Sequence, residues 1–401
     1  MANGNVTKQA KDYLEALADE LEISDARYRD AEESYNSLGR WLNREGSTVK
    51  RYDPIVYVQG SFRLGTVIKP LTEEEEYDVD SVCELGQLTK GDRTQAELKE
   101  MIRVEVEAYR KAQSMVKPLR EGRRCWVLDY ADGAQFHMDI VPALPNGDEQ
   151  RLLLETAGYN PDLSQSAIVI TDNEHPHYTV LSGDWPRSNP KGYAKWFRDR
   201  MTLIFERRRR VLAEATHASV EEIPDYRVRT PLQSAIMILK RHRDIMFASR
   251  KEERPISIIL TTLAAHSYEG EEEIADALFA ILQKMDRFIL PMQNQAVIPN
   301  PSDPMENFAD KWADHPEREE AFYEWLDQAR RDFGRAAARA DRAQIHEDLR
   351  DRIGASLAKR AADRAGGSSW GLLRTPSVAP VAPIPSFSNQ RREPTSPDGF
   401  A

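Results

Sequence analysis

Cysteine is nearly absent: Cys83 and Cys125 are the two in 401 residues, and neither sits in a Cys-x-x-Cys pair. That excludes a disulfide framework and fits a reducing cytoplasm. Long apolar runs are missing too. No stretch of about 18 apolar residues exists to span a bilayer, and the N-terminus, MANGNVTKQAKDYLEALADELEIS, has no apolar core of signal-peptide length. A soluble, cytoplasmic protein without a membrane partner is expected. Positive charge is in the minority, 55 Lys and Arg against 66 Asp and Glu, net −11. An acidic chain is poorly suited to non-specific binding of nucleic-acid backbone, so no stable nucleic-acid partner is expected either. The first of two basic stretches, Arg207–Arg210, reads as a solvated helix face; the second is Lys240–Arg243. His175 and His177 in NEHPHY read as a loop, because no cysteine or second histidine pair lies nearby to complete a metal site.

What is present is a spaced set of hydroxyl and carboxylate groups. Gly60-Ser61 stands in YVQGSFRLGT, Asp78-Val79-Asp80 in EYDVDSV, and Asp139 in FHMDIVPA. On a strand, side chains at i and i+2 point to one face, so Asp78 and Asp80 project together. RCWVLDY and AQFHMDIVPAL are strand-like runs separated by Ala131-Asp132-Gly133-Ala134, and Asp-Gly between such runs predicts a hairpin. Asp139 then comes from a neighbouring strand to complete an acidic patch. An aspartate between Met138 and Ile140 is costly to bury unless it is paired or metal-bound. Transfer of a nucleotidyl group needs two divalent cations about 4 Å apart to neutralise charge at the attacking hydroxyl and the leaving pyrophosphate. Such hard ions take carboxylate oxygens. Upstream, IVYVQ reads as a buried strand running into Gly60-Ser61. There the glycine lets backbone approach phosphate, and the serine hydroxyl and the N–H groups of a following helix start would cradle it.

QGSFRLGT, YDVD and HMDIVPA together resemble the polymerase-β-like nucleotidyltransferase superfamily. Their wording is similar to the bacterial cGAS/DncV-like nucleotidyltransferases, or CD-NTases, relatives of animal cyclic GMP-AMP synthase and oligoadenylate synthetase. The resemblance runs on through Ser188-Asn189-Pro190-Lys191-Gly192-Tyr193 with Trp196, QSAIMILKRHRD, PISIILTTLAAH and IPNPSDPMENFADKW, roughly residues 10 to 330. It implies that Asp78, Asp80 and Asp139 are catalytic and hold two Mg2+ ions, for which Mn2+ can substitute, and that Asp139 assists deprotonation of the attacking hydroxyl. Gln59, Gly60 and Ser61 would hold the donor triphosphate. Lys240 is similar to a helical lysine that neutralises donor phosphates, Ser257 to a phosphate-binding serine, and Asp303 to an acidic position near the acceptor. The base-stacking tyrosine of the animal enzyme is Ile258 here, Asn300 replaces the first acidic position of IPNPSDP, and no zinc insertion is visible. Lys240–Arg243 would lie in the region facing triphosphate.

The implied fold is α+β, a polymerase-β-like mixed-sheet lobe followed by a helical C-terminal lobe with the active site in the cleft between them. Tyr13, Leu14, Leu17, Leu21, Tyr28 and Tyr35 recur at helical spacing, predicting a helix from 7 to about 45 that packs on the catalytic lobe. A second helix is expected at roughly 93 to 117, among strands from 55 to 144. From 191 the chain reads as helical, with ends marked by Pro231, Pro255 and Pro291. The expected division is 1–190 catalytic lobe, 191–365 helical lobe and 366–401 disordered tail, the last rich in Pro, Ser and Gly. The resemblance implies ATP and other NTPs as substrates, a cyclic di- or trinucleotide product acting on a separate effector in antiphage signalling, and a ubiquitin-ligase-like enzyme that acts on the C-terminal tail. A nucleotidyltransferase modifying tRNA, protein or a small molecule would share the same aspartates. A silent nucleotide-binding scaffold would have no physical reason to keep three mutually repelling carboxylates.

Overall fold

The computed structural model describes residues 6–71, 76–130, 136–292 and 295–367. The strands β1 (Pro54–Val58), β2 (Tyr77–Leu85), β3 (Arg120–Glu121), β4 (Trp126–Tyr130), β5 (Phe136–Pro145), β6 (Ile168–Ile170) and β7 (Arg187–Ser188) form one sheet. Its path is β1-β2-β5-β4-β3, and β6 joins β5 to β7. The β2–β5 pair is parallel and all other pairs are antiparallel. A parallel pair needs a crossover, supplied by α4 (Gln95–Ala112), which a Thr94–Glu97 capping box starts. The expected hairpin is present as the β4–β5 register from Trp126↔Ile140 to Tyr130↔Phe136; its connecting residues 131–135 lie outside the described residues.

The single N-terminal helix predicted over 7 to about 45 is instead two, α1 (Lys8–Leu21) and α2 (Asp25–Leu42). Ser24 breaks them: it is extended, and its hydroxyl accepts the Arg27 N–H as a fresh N-cap. The two helices also part company in space. Leu38 and Leu42 of α2 pack with Cys83, Leu85, Leu98 and Met138 on one face of the sheet. The stripe Tyr13, Leu14, Leu17 and Leu21 goes instead into the core of the C-terminal helices, and Tyr13 Oη donates to Ala358 O at 3.1 Å. A hydrophobic period specifies that a face will be buried but not which partner buries it.

Beyond the short helices α3 (Gly60–Leu64) and α5 (Gly147–Thr156), the rest is mostly helical: α6 (Pro190–Thr216), α7 (Pro231–Met246), α8 (Ser257–Ser267), α9 (Ile274–Lys284), α10 (Pro316–Ala337), α11 (Arg342–Ile353) and α12 (Ala355–Gly367). The Ser-Asn-Pro-Lys-Gly segment starts α6: the Asn189 side chain accepts the Gly192 N–H at 2.9 Å and Pro190 takes the first turn. Pro231 likewise opens α7, whereas Pro291, expected at a helix end, lies inside the short hairpin β8 (Leu290–Met292) with β9 (Gln295–Val297). A second hairpin, β10 (Pro299–Asn300) with β11 (Asp303–Asn307), forms from IPNPSDPMEN. The Arg207–Arg210 face is exposed at Arg207 and Arg210, whereas Arg208 and Arg209 are half-buried. Arg208 donates to Arg229 O and Glu272 O, Arg209 to Ile223 O, and Arg207 pairs with Glu272.

Candidate active site

With α2 and α4 on one face of the sheet, Asp78, Asp80 and Asp139 share the other, above the small apolar floor of Val82, Val141, Ala143, Ile168 and Ile170. β1 delivers the chain to this face. The Gln59 N–H donates to Asp80 O at 2.8 Å, so the turn is tied to the strand that carries the acids. Gly60 follows at φ +61°, and a Cβ there would overlap Asp80 Oδ2. Glycine is needed twice over, for the left-handed backbone and for the close approach. Ser61 lies in the first turn of α3, and its carbonyl accepts the Thr66 N–H at 2.9 Å, folding the exit of the turn back on its start.

Asp80 and Asp139 are direct register partners across the parallel pair, and Asp78 is opposite His137. Burial, followed by the charges of Asp139 and Asp78, pushes the Asp80 carboxyl up to about 6. Burial also raises Asp139, against the nearby His137 charge and a thiol hydrogen bond from Cys125. Its Oδ1 is buried without a hydrogen-bond partner, a costly state for a carboxylate. Asp78 is mostly exposed and turned aside: His137 Nε2 lies 2.8 Å from its Oδ1, and this bond raises the imidazole to about 9. Among the described residues, the groups of three or more acidic, His or Cys ligands whose atoms lie within 4.8 Å of one another contain neither Asp80 nor Asp139. The three aspartates thus share a face, while the third is held off by an imidazolium. Hard oxygen donors, carboxyl pKa values pushed upward and an orphan buried oxygen fit a divalent cation. His137 escaped the sequence reading, although its position two residues before Asp139 puts it on the same face by the period of two.

The other expected residues divide. Lys240 is buried on α7, and its Nζ donates to Thr66 O at 3.1 Å and Thr66 Oγ1 at 3.2 Å. Burial, followed by the charge of Arg243, drives its pKa down to about 7, and the charges of Asp244 and Asp80 oppose that. Ser257 opens α8, and its Oγ accepts Arg243 Nη1 at 2.9 Å; Ile258 packs on the helical core. Asp303 is buried in an ion pair with Arg187, 2.9 Å from Nε to Oδ2, which fastens β11 to the sheet edge at β7. His175 and His177 are in a loop as expected: His175 Nδ1 accepts the His177 N–H at 3.2 Å, and His177 Nδ1 lies 3.2 Å from Asp184. A cavity of about 630 Å3 opens on the Phe62–Gly65 side of α3, bounded by Tyr28, Arg63, Arg209 and Tyr226 and by none of the three aspartates.

The family model of the cyclic GMP-AMP synthase DncV-like nucleotidyltransferase domain matches residues 54–142. A c-di-GMP synthase from Roseivirga ehrenbergii is 32% identical over 331 residues, covering 81% of this chain and 79% of the relative. The cyclic dinucleotide synthase CdnG from Bradyrhizobium diazoefficiens is 25% identical over 369 residues, covering 88% of this chain and 81% of the relative. The solved structure of that CdnG in complex with GTP superposes at a TM-score of 0.67 with 22% identity, over 88% of this chain and 98% of the other. The Vibrio cholerae cyclic AMP-GMP synthase DncV shares the fold at a TM-score of 0.53 and 13% identity, over 87% of this chain and 97% of the other. The chain is therefore a nucleotidyltransferase belonging to the bacterial CD-NTase family.

Proposed function

We propose that the protein is a magnesium-dependent, template-independent synthase that joins ribonucleoside triphosphates into a cyclic di- or trinucleotide second messenger and releases pyrophosphate. The observation that carries this reading is the juxtaposition of Gly60 with Asp80 and of Asp80 with Asp139. It sets the Gly-Ser turn directly beside paired carboxylates. On this reading Asp78, Asp80 and Asp139 hold two Mg2+ ions, with Mn2+ as a substitute, which supply charge neutralisation at the attacking hydroxyl and the leaving pyrophosphate. Asp78 leaves His137 to join the other two. Asp139 assists deprotonation of the attacking hydroxyl.

Gln59, Gly60 and Ser61 receive the donor triphosphate, the serine by its hydroxyl and the start of α3 by N–H groups that lack helical partners. Lys240 neutralises the phosphates with the N–H it does not give to Thr66, and Ser257, polarised by Arg243, donates its proton to them. Asp303 acts at the acceptor side in company with Arg187. The catalytic lobe ends near residue 190 and the helical lobe near 365. The relatives are a c-di-GMP synthase and a synthase solved with GTP, which makes GTP the first substrate to test, before ATP. The setting is cytoplasmic antiphage signalling, with a separate effector reading the product and a ubiquitin-ligase-like enzyme acting on the C-terminal tail.

Incubating the purified chain with labelled nucleoside triphosphates and Mg2+ alone tests the reading. A phosphatase-resistant product is expected, and mass spectrometry identifies its bases and ring size. Label incorporated only when RNA, protein or another acceptor is added would instead make the chain a modifying nucleotidyltransferase.

A further inference from the structure

The turn that would hold triphosphate is gripped at its exit by side chains of α7 and of the residue before its cap. Gln233 Nε2 donates to Leu64 O at 2.9 Å, Arg229 Nη1 to Gly65 O at 3.1 Å, and Lys240 Nζ to Thr66 O at 3.1 Å. Arg241 reaches Lys69 O in the same way. Successive carbonyls at 64, 65 and 66 are thus each taken by a side chain on α7 or from the residue just before its cap.

We infer that Gln233 and Arg229 are positioning residues, which set where Ser61 stands relative to Asp80 and thereby the affinity for nucleoside triphosphate. The inference rests on the reading of the Gly60–Gly65 turn as the triphosphate site. Gln233 is well suited to the task because both ends of its amide are committed. Oε1 accepts the Thr230 N–H at 2.9 Å and the Thr230 hydroxyl at 3.1 Å, closing the capping box of α7, so Nε2 must face Leu64. The start of α7 and the end of α3 are therefore joined through one side chain. Gly65 makes the approach possible: it stands at φ +65°, and a Cβ there would overlap Gln233 Nε2 and sit 2.8 Å from Arg229 Nη1. Arg229 extends the grip to the far side of α3, since Nη2 donates to Tyr28 Oη at 2.6 Å and the Tyr28 ring meets Phe62 edge-on at 5.5 Å. Ser61 is thus held between two fixed neighbours, its carbonyl on Thr66 and the next residue in the aromatic contact.

Two substitutions separate this role from plain support of the fold. Gln233→Glu keeps the acceptor for the Thr230 cap but sets a second acceptor against Leu64 O. Thr230→Ala weakens the cap and leaves the Gln233 amide free to reach Leu64. Steady-state kinetics of the full chain with Mg-GTP and with Mg-ATP, together with melting temperature, give the readout. Gln233→Glu is expected to raise KM about tenfold or more with kcat within about threefold. Thr230→Ala should lower the melting temperature with KM within about twofold. Arg229→Lys, which keeps the charge but loses the fork to Gly65 O and Tyr28 Oη, should raise KM less than Gln233→Glu, and it serves if that variant does not fold. Unchanged KM in the Gln233 or Arg229 variants overturns the inference, as does a Thr230→Ala variant whose KM rises as much as that of Gln233→Glu. A wild-type protein that neither binds nor turns over Mg-GTP or Mg-ATP overturns the underlying reading as well, whereas an active wild type matched by Gln233→Glu overturns the positioning role alone.

Discussion

At the scale of single residues, the acidic pair is a place where the fold pays in stability for chemistry. Asp80 titrates at about 6 in the folded protein against an ordinary 3.8, so the folded state holds this proton more tightly than the unfolded chain does. The penalty is present in full above about pH 6 and is relieved as pH falls toward 4, on the order of 2–3 kcal/mol in the absence of divalent cations. His137, raised to about 9, keeps its charge through that window. In chelator, Asp80→Asn should therefore melt higher than wild type at pH 7, with the gap closing by pH 4.5, and should lose nucleotide synthesis at any pH. Thermal melts across pH check the first claim and product assays the second. Ser61→Ala removes one hydrogen bond to a charged group, about 1.5–3 kcal/mol, so use of triphosphate should fall by roughly tenfold or more. Gly60→Val should be worse, because a side chain there meets both a positive φ and Asp80. Unaltered kcat/KM in both variants would place the phosphates elsewhere.

Among elements, the link of most consequence is between the sheet and the β10–β11 hairpin. Arg187 on β7 and Asp303 on β11 meet at 2.9 Å, with the carboxylate buried and the guanidinium about one-third exposed. Ser302 Oγ adds a bond to Asn189 O at 3.3 Å, just before α6 begins. Asp303→Asn should cost about 1–3 kcal/mol, because it leaves a half-buried guanidinium without its countercharge. A fall in melting temperature with unchanged kinetics would make Asp303 a fastening. A rise in KM for the acceptor nucleotide at equal stability would make it part of the acceptor site. The ion pair that ties this hairpin to an edge strand more than a hundred residues earlier left no local trace in the sequence.

For the whole molecule, the last described element, α12, ends at Gly367, and the tail expected from 366 lies from residue 368 onward outside the described residues. Deleting residues 376–401 removes a segment whose Pro- and Ser-rich composition cannot form a packed core, so turnover and melting temperature should be nearly unchanged. A clear drop in either would show that the tail docks on the body. The α+β class followed from the family resemblance, whereas the Gly-Ser turn, the same-face spacing of Asp78 and Asp80 and the β4–β5 pairing were legible in the amino-acid order itself. Each depends on neighbours within a few residues: a period of two, an Asp-Gly turn signal, a glycine before a helix start. Only the tertiary structure decided that Asp139 faces Asp80 across a parallel pair and that His137 draws Asp78 aside. It likewise decided that α1 leaves the sheet for the helical core, and that Arg208, Arg209 and Lys240 spend hydrogen bonds on backbone carbonyls. These are contacts between segments far apart in the chain, chosen by register, by competition for burial and by the need to satisfy buried polar groups, and no local pattern carries that information.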